Sequence, residues 1–242
     1  MKLIEGKGVS KFFGGIKALD HVDFHLDEGE IVGLIGPNGS GKTTLFNVIS
    51  GHLTLTSGKI IFNGKDVSGF KPYQTCRLGI ARTFQIPKPF HKMTVRENIL
   101  VPMTFARTRD KNVNVEHEIN QLLEKLGLID KILTFASDLT LYEQRVLELA
   151  RSLACKPRLL LLDEVMAGLN PSETEKILKI LKELHEEFGI TLFVIEHNLR
   201  AITGLVKRVI VLNQGIKMAE GEPKKVFRDK KVIEAYLGEE YA

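Results

Sequence analysis

The sequence predicts an α/β protein with a mostly parallel sheet, an antiparallel β portion toward its N-terminus and an inserted α-helical segment. Three observations predict it. Glu30-Ile31-Val32-Gly33-Leu34-Ile35 reads as a strand running into Gly36-Pro37-Asn38-Gly39-Ser40-Gly41-Lys42-Thr43-Thr44, a Gly-x4-Gly-Lys-Thr loop with a helix behind it. Two later runs, 159–162 and the strand at 191–195 with its apolar residues 192–195, are unbroken, as strands buried on both faces are. Between the loop and these runs lies a stretch whose apolar residues recur at helical spacing.

Taken in order, residues 21–27 alternate Val22, Phe24 and Leu26 with Asp23, His25 and Asp27, the period of a half-buried strand. Ahead of it, Phe12-Phe13-Gly14-Gly15 is an aromatic pair before a flexible turn, and the residues alone favour core packing for both rings. The helix after the loop, 42–50, carries Leu45 and Ile49 four apart and stops at Gly51. Residues 58–64 form a short strand closed by Asn63-Gly64. Arg82-Thr83-Phe84-Gln85 leads into Ile86-Pro87-Lys88-Pro89-Phe90-His91, where two prolines forbid regular structure. Helices follow at 116–126, with Ile119, Leu122, Leu123 and Leu126 on one face, and at 143–153, with Val146, Leu149, Ala150 and Leu153. Leu159 to Leu162 then runs into Asp163-Glu164. Asn170-Pro171 is an N-cap and first-turn pair for a helix with Ile177, Ile180, Leu181, Leu184 and Phe188 on one stripe and Gly189 past its end. The strand at 191–195 ends at Glu196-His197, and a final strand at 208–212 turns at Asn213-Gln214-Gly215. Alternation of this kind describes a doubly wound sheet. One domain, 1–242, is expected, with a core lobe of 1–85 and 155–242 and a helical subdomain of 86–154.

Composition narrows the function. The chain has 242 residues, 43% of them hydrophobic, and a net charge of 34 − 30 = +4. That charge is too small and scattered for a nucleic-acid binder; it suits an anionic membrane face as well as an ordinary solvated surface. Cys76 and Cys155 show no metal spacing and read as free thiols of a reducing cytosol. No apolar run approaches the ~20 residues that span a bilayer, and Met1-Lys2-Leu3-Ile4-Glu5 has no leader-like apolar core. Any membrane role is expected to be peripheral.

The chemistry follows from the loop. Its glycines let consecutive N–H groups point at a phosphate, Lys42 adds a point charge at the β/γ-phosphates, and the Thr43 hydroxyl is a Mg²⁺ ligand. Ligands of doubly wound sheets bind at the C-terminal strand ends, which here carry the loop, Asp163-Glu164 and Glu196-His197. Asp163 is placed to hold Mg²⁺ through its water shell. Glu164, one residue on, is a candidate general base, a role worth ~10²–10⁴ in rate. His197 is a candidate γ-phosphate sensor.

These residues resemble the ATP-binding subunits of ABC transporters, over nearly the whole chain. Gly36 to Thr44 is similar to Walker A, and Leu159 to Glu164 to Walker B with its glutamate. Gln85 stands at the Q-loop, reaching toward Mg²⁺ and the attacking water. Ala167-Gly168-Leu169-Asn170 stands at the D-loop, His197 at the switch histidine, and Phe13, with Phe12 as fallback, at the adenine-stacking aromatic. The resemblance implies a phosphate-loop (RecA-like) core, ATP and Mg²⁺ as cofactors, and an ATPase on the cytoplasmic face of the cell membrane. It implies as partners a second ATPase subunit in a head-to-tail pair, two integral membrane permease subunits docked on the helical subdomain and, indirectly, an extracytoplasmic solute-binding protein, with no nucleic acid. Phe13-Gly14-Gly15, Arg82-Thr83-Phe84-Gln85, Met166-Ala167-Gly168-Leu169-Asn170-Pro171 and Val232-Ile233-Glu234-Ala235-Tyr236-Leu237-Gly238 look most like the branched-chain amino acid importers (LivG-like subunits).

Two positions depart from the family. The signature Leu-Ser-Gly-Gly-Gln becomes Leu139-Thr140-Leu141-Tyr142-Glu143, which keeps a hydroxyl and loses both glycines. Glycine permits close approach to the partner's γ-phosphate, and Tyr142 is expected to obstruct it; Val165 replaces the usual proline with less consequence. The implied assembly is an asymmetric heterodimer whose site on Lys42, Glu164 and His197 hydrolyses while the trans site turns over slowly. The alternative is a loop that adjusts its backbone and works through Thr140 and the helix dipole. Motion would pass through Gln85 to Met93, where Ile86, Pro87, Pro89, Phe90 and Met93 offer an apolar docking surface. Competing functions are the ATPase of a lipopolysaccharide-extraction or other ABC transporter, a soluble non-transport ABC ATPase and a small-molecule kinase; the last two fit the length and the motif order less well.

Overall fold

In a computed structural model, the structure describes residues 1–106, 114–196 and 202–240, with side chains to Tyr236. The chain opens with two long strands, β1 (Lys2–Phe13) and β2 (Ile16–Asp27), paired antiparallel around the Gly14-Gly15 turn. β3 (Ile31–Ile35) enters the glycine loop and α1 (Lys42–Ile49) leaves it. β4 (Ser57–Phe62) and β5 (Lys65–Asp66) flank the Asn63-Gly64 turn, and β4 pairs with β1, giving a four-stranded antiparallel sheet ordered β2-β1-β4-β5.

α2 (Pro72–Leu78) and β6 (Ile80–Arg82) come next, then α3 (Val95–Phe105), α4 (Val115–Leu126) and α5 (Leu141–Ala154). The α/β alternation resumes with β7 (Leu159–Asp163), α6 (Pro171–Phe188), β8 (Thr191–Ile195), β9 (Arg208–Asn213) and β10 (Ile216–Gly221), and two helices, α7 (Pro223–Val226) and α8 (Lys230–Glu240), follow. Among the described residues the second sheet is ordered β10-β9-β3-β8-β7-β6, with every neighbouring pair parallel except β10 and β9.

The parallel strands are buried on both faces, and their two-residue period divides them between two cores. Leu159, Leu161, Phe193, Ile195 and Leu34 face the antiparallel sheet and α1, where Phe193 meets Phe46 at 5.2 Å and Phe24 at 6.1 Å between ring centroids. Leu160, Leu162, Leu192, Val194 and Ile35 face the other way, onto α5 and α6 through Val146, Leu149, Ala150, Ile177 and Leu181. The side chains that make each strand continuously apolar are therefore two layers of core.

Several elements escape the periodicity. The strand at 208–212 is not the last: β10 folds back on it antiparallel after Gly215. β6 is three residues long, too short to show a period, yet its pairing with β7 places Arg82 beside Leu161. α3 carries Pro102 inside it and so spoils a helical template, but Thr94 and Glu97 close a capping box at its start, and buried Asn98 ties it to the preceding loop. Asn98 accepts from the Phe90 N–H at 2.8 Å and donates to the Phe90 and Met93 carbonyls. The core packing expected of Phe12 and Phe13 does not occur. Phe13 is 45% exposed and Phe12 half-buried at the hairpin end, under the ammonium groups of Lys11 and Lys17 respectively.

Candidate nucleotide site

Parallel pairing sends β6, β7, β8, β3 and β9 the same way, so Gln85, Asp163-Glu164, Glu196 and the glycine loop gather along one edge of the sheet. The loop has the backbone its glycines permit. Gly36, Gly39 and Gly41 have φ of 148°, 69° and 104°. Two of them are also hemmed in: a Cβ on Gly36 would lie 2.0 Å from the Leu212 carbonyl oxygen, and one on Gly41 2.5 Å from that of Ala18. β9 and β2 thus press on the loop from behind while Asn38 and Gly39 face solvent.

Gly36, Pro37, Ser40 and Gly41 are buried, Thr43 is exposed at the first turn of α1 and Thr44 is half-buried. Lys42 is buried, and its Nζ donates to the carbonyls of Gly36 at 2.6 Å and Pro37 at 2.7 Å. Its charge is held inside the loop, at the N-terminus of α1, where an anion is stabilised.

Asp163 ends β7 and is almost fully buried. Its Oδ2 accepts from Arg82 Nη2 at 2.7 Å, and its backbone N–H donates to Thr83 Oγ1 at 3.2 Å. Its Oδ1 has no hydrogen-bond partner. Burial pushes its carboxyl up from the ordinary range, against the pull of Arg82. A buried carboxylate oxygen without a donor fits a hard divalent cation. Asp163 and Thr43 would hold it, and a bound Mg²⁺ would neutralise developing phosphate charge.

Glu164 follows in a left-handed backbone, φ 51°, where a non-glycine residue is strained by ~1–3 kcal/mol. Its N–H donates to the Ile195 carbonyl at 3.0 Å, and its Oε2 accepts from Gln85 Nε2 at 2.8 Å. The strained turn aims the carboxylate away from the core, across to the exposed Gln85. Gln85 and Glu164, 79 positions apart, are in direct contact. His197 lies outside the described residues.

Thr140 N-caps α5: the Glu143 N–H donates to its Oγ1 at 3.3 Å and the Thr140 N–H to Glu143 Oε2 at 2.8 Å. Leu141 is exposed and lies against Gly168, its Cδ2 3.1 Å from where a Cβ there would stand. Tyr142 is half-buried against the helical core, with Lys176 Nζ 5.7 Å from its ring. Asn170 caps α6, accepting from the Glu173 N–H at 3.0 Å. Val165 is fully buried.

Sequence reasoning missed a buried charged layer beneath the site. Arg82 reaches Asn47 Oδ1 on α1 at 2.6 Å as well as Asp163, with its guanidinium over Phe84 and Phe46. Arg145 donates to the carbonyls of Phe84 at 3.1 Å and Ala167 at 3.2 Å, joining the segment before Gln85 to that after Glu164. Glu148 accepts from the Phe84 N–H at 2.8 Å, and Glu196 from the Met166 N–H at 3.0 Å; burial pushes each carboxyl up to about 7. The available signal was polar and charged residues at the wrong phase: Arg145, Glu148 and Ser152 share the buried side of α5.

The chain that carries this loop, buried aspartate and Gln85–Glu164 pair is similar to known proteins. The chain matches the family described as "ABC transporter" over residues 19–167, and one described as "Branched-chain amino acid ATP-binding cassette transporter" over residues 217–242. It is 37% identical to the high-affinity branched-chain amino acid transport ATP-binding protein LivG of Salmonella typhimurium, with 98% of each chain covered. Among solved structures it resembles an ATP-binding cassette of an ABC transporter in its ADP conformation, with TM-score 0.88, 34% identity and coverage of 98% and 99%. It also resembles a dimeric bacterial ABC transporter cassette, with TM-score 0.82, 27% identity and coverage of 91% and 98%. The chain belongs to the ATP-binding cassettes of ABC transporters, and is an ATP-binding, ATP-hydrolysing subunit of such a transporter.

Proposed function

We propose that this subunit powers an importer of branched-chain or other amino acids, working as one of two cassettes that close on ATP at the inner face of the membrane. The observation that carries the catalytic part is the contact between Gln85 Nε2 and Glu164 Oε2 at 2.8 Å, beside the orphaned Asp163 oxygen. In the closed pair, the loop N–H groups and Lys42 hold the triphosphate and Phe13, exposed on the hairpin, stacks on the base. Glu164 takes the proton of the attacking water while Gln85 orients that water. His197 contacts the γ-phosphate. The amino-acid substrate class is supported by the relatives' names and by the match at the C-terminal segment.

Residues 86–154 act as the lobe that meets the permeases. A groove of about 470 Å³ between α2, β6, α3 and α5, flanked by exposed Tyr73 and Phe105, receives a permease segment. Ile86 and Phe90 are its exposed apolar neighbours and Pro87 and Met93 are partly covered; Pro89 is buried and drops out of the docking surface read from the sequence. No helix among the described residues is long and apolar enough to cross a membrane.

The second cassette is a different chain with an intact signature. In support, Thr140 and Glu143 are spent on capping α5, and neither Leu141 nor Tyr142 has the backbone freedom of the glycines they replace. The test is reconstitution of the complex with its permeases in vesicles. ATP-driven uptake of leucine, isoleucine or valine is expected, and Glu164→Gln should remove most of the ATPase activity. Absence of such uptake refutes the substrate class; survival of most ATPase activity refutes the asymmetry.

A further inference from the structure

The two cysteines, 79 positions apart, meet on the floor of the same groove. Cys76 lies in α2 and Cys155 caps the C-terminus of α5; their sulfurs are 3.6 Å apart and both residues are half-buried. The segments that carry them run side by side. Three residues beyond each cysteine, the Arg158 N–H donates to the Gly79 carbonyl at 2.9 Å, and the Leu159 N–H donates to the same oxygen at 3.0 Å. The backbones are therefore held in register, and the sulfurs, 3.6 Å apart, have to close to the ~2.0 Å of a bond.

We propose that Cys76 and Cys155 form a reversible modification site, a dithiol that small-molecule disulfides convert to an intramolecular disulfide. Cys76 is the attacking thiol: the hydrogen bond from Cys155, opposed by burial and aided by neighbouring Arg77, brings its pKa down to about 7, so much of it is thiolate near neutrality. The Cys76 thiolate attacks one sulfur of R–S–S–R, giving Cys76–S–S–R and releasing RS⁻. Cys155, which also lies 3.6 Å from the Arg151 carbonyl, gives up its proton and attacks the Cys76 sulfur, releasing the second RS⁻. The protein loses two electrons and two protons, and the disulfide becomes two thiols.

The bond joins two segments that bear on the nucleotide site. α2 leads through β6 to Gln85, and α5 begins at Thr140. Closing it fixes the end of α5, where the helical stretch rejoins the sheet, to the element that precedes Gln85. Both cysteines line the groove, so in the free chain reagent reaches them from there.

The test uses the reduced full chain, incubated with oxidised glutathione at pH 7.5, quenched in acid, digested without reductant and analysed by mass spectrometry. A peptide pair joined through Cys76 and Cys155, lacking two hydrogens and carrying no glutathione, is expected. Closing a loop this long should also raise the Tm by up to about 10 °C. Cys155→Ser should trap glutathione on Cys76, with no cross-link and no gain in Tm. The proposal is overturned if both thiols stay free, if glutathione remains on both cysteines, or if the only cross-links join separate chains.

Discussion

Replacing Glu148 by glutamine should remove its share of the pH dependence of stability between pH 5 and pH 8, leaving that of Glu196. Glu148 is 4% exposed, and burial holds its carboxyl at about 7 against a usual value of 4.5. The charges that face it are Arg145 and Arg151 on its own helix, which lower it, and Asp163 on β7, which raises it. Because the folded-state pKa lies above the unfolded one, the favourable contribution is complete below pH 4.5. It is lost as the pH climbs toward 7, since unfolding then releases the proton that the buried site retains. That displacement is worth about 3 kcal/mol in full and about 2–3 kcal/mol between pH 5 and pH 8. Glutamine keeps the acceptor for the Phe84 N–H and nearly the same volume; any cost of its amide is independent of pH. Urea unfolding followed by circular dichroism at pH 5, 6, 7 and 8 should show the difference between wild type and variant growing in the variant's favour across that range. Parallel curves, within about 0.5 kcal/mol, would refute the assignment of a buried, proton-retaining Glu148.

Three further outcomes follow from the geometry. Gly41→Ala places a Cβ 2.5 Å from the Ala18 carbonyl at φ 104°, so it should cost about 2–3 kcal/mol and abolish the rise in Tm that ATP gives the parent. Arg82→Met leaves Asp163 unpaired in the interior and should cost about 3–5 kcal/mol; Arg82→Met with Asp163→Asn should recover part of that loss, and an additive double-mutant cycle would disprove the pairing. Thr140→Ala removes the α5 cap and should cost about 1 kcal/mol by urea midpoint.

Local chemistry was legible wherever its cause was local. The loop from Gly36 to Thr44 needs positive φ and donor N–H groups, and the glycines and Lys42 declare both. The Asn170-Pro171 and Thr140-Glu143 caps, the Gly189 stop and the apolar runs of β7 and β8 are likewise set by neighbours a few residues away. From these the α/β class and a candidate nucleotide site follow without coordinates. Elements whose stability comes from distant partners were not legible. β6 exists because β7 pairs with it, α3 persists despite Pro102, and Phe13 is exposed at the end of the β1–β2 hairpin.

The sequence by itself therefore determined the α/β class and the loop and carboxylates of a candidate nucleotide site. Tertiary structure alone decided what surrounds them: Arg82 on Asp163, Gln85 on Glu164, Glu148 and Glu196 kept from water, Cys76 against Cys155. The reason is range. Backbone conformation answers to residues three or four away, whereas burial and charge pairing answer to whatever the sheet order brings alongside, here from 79 to 81 positions off.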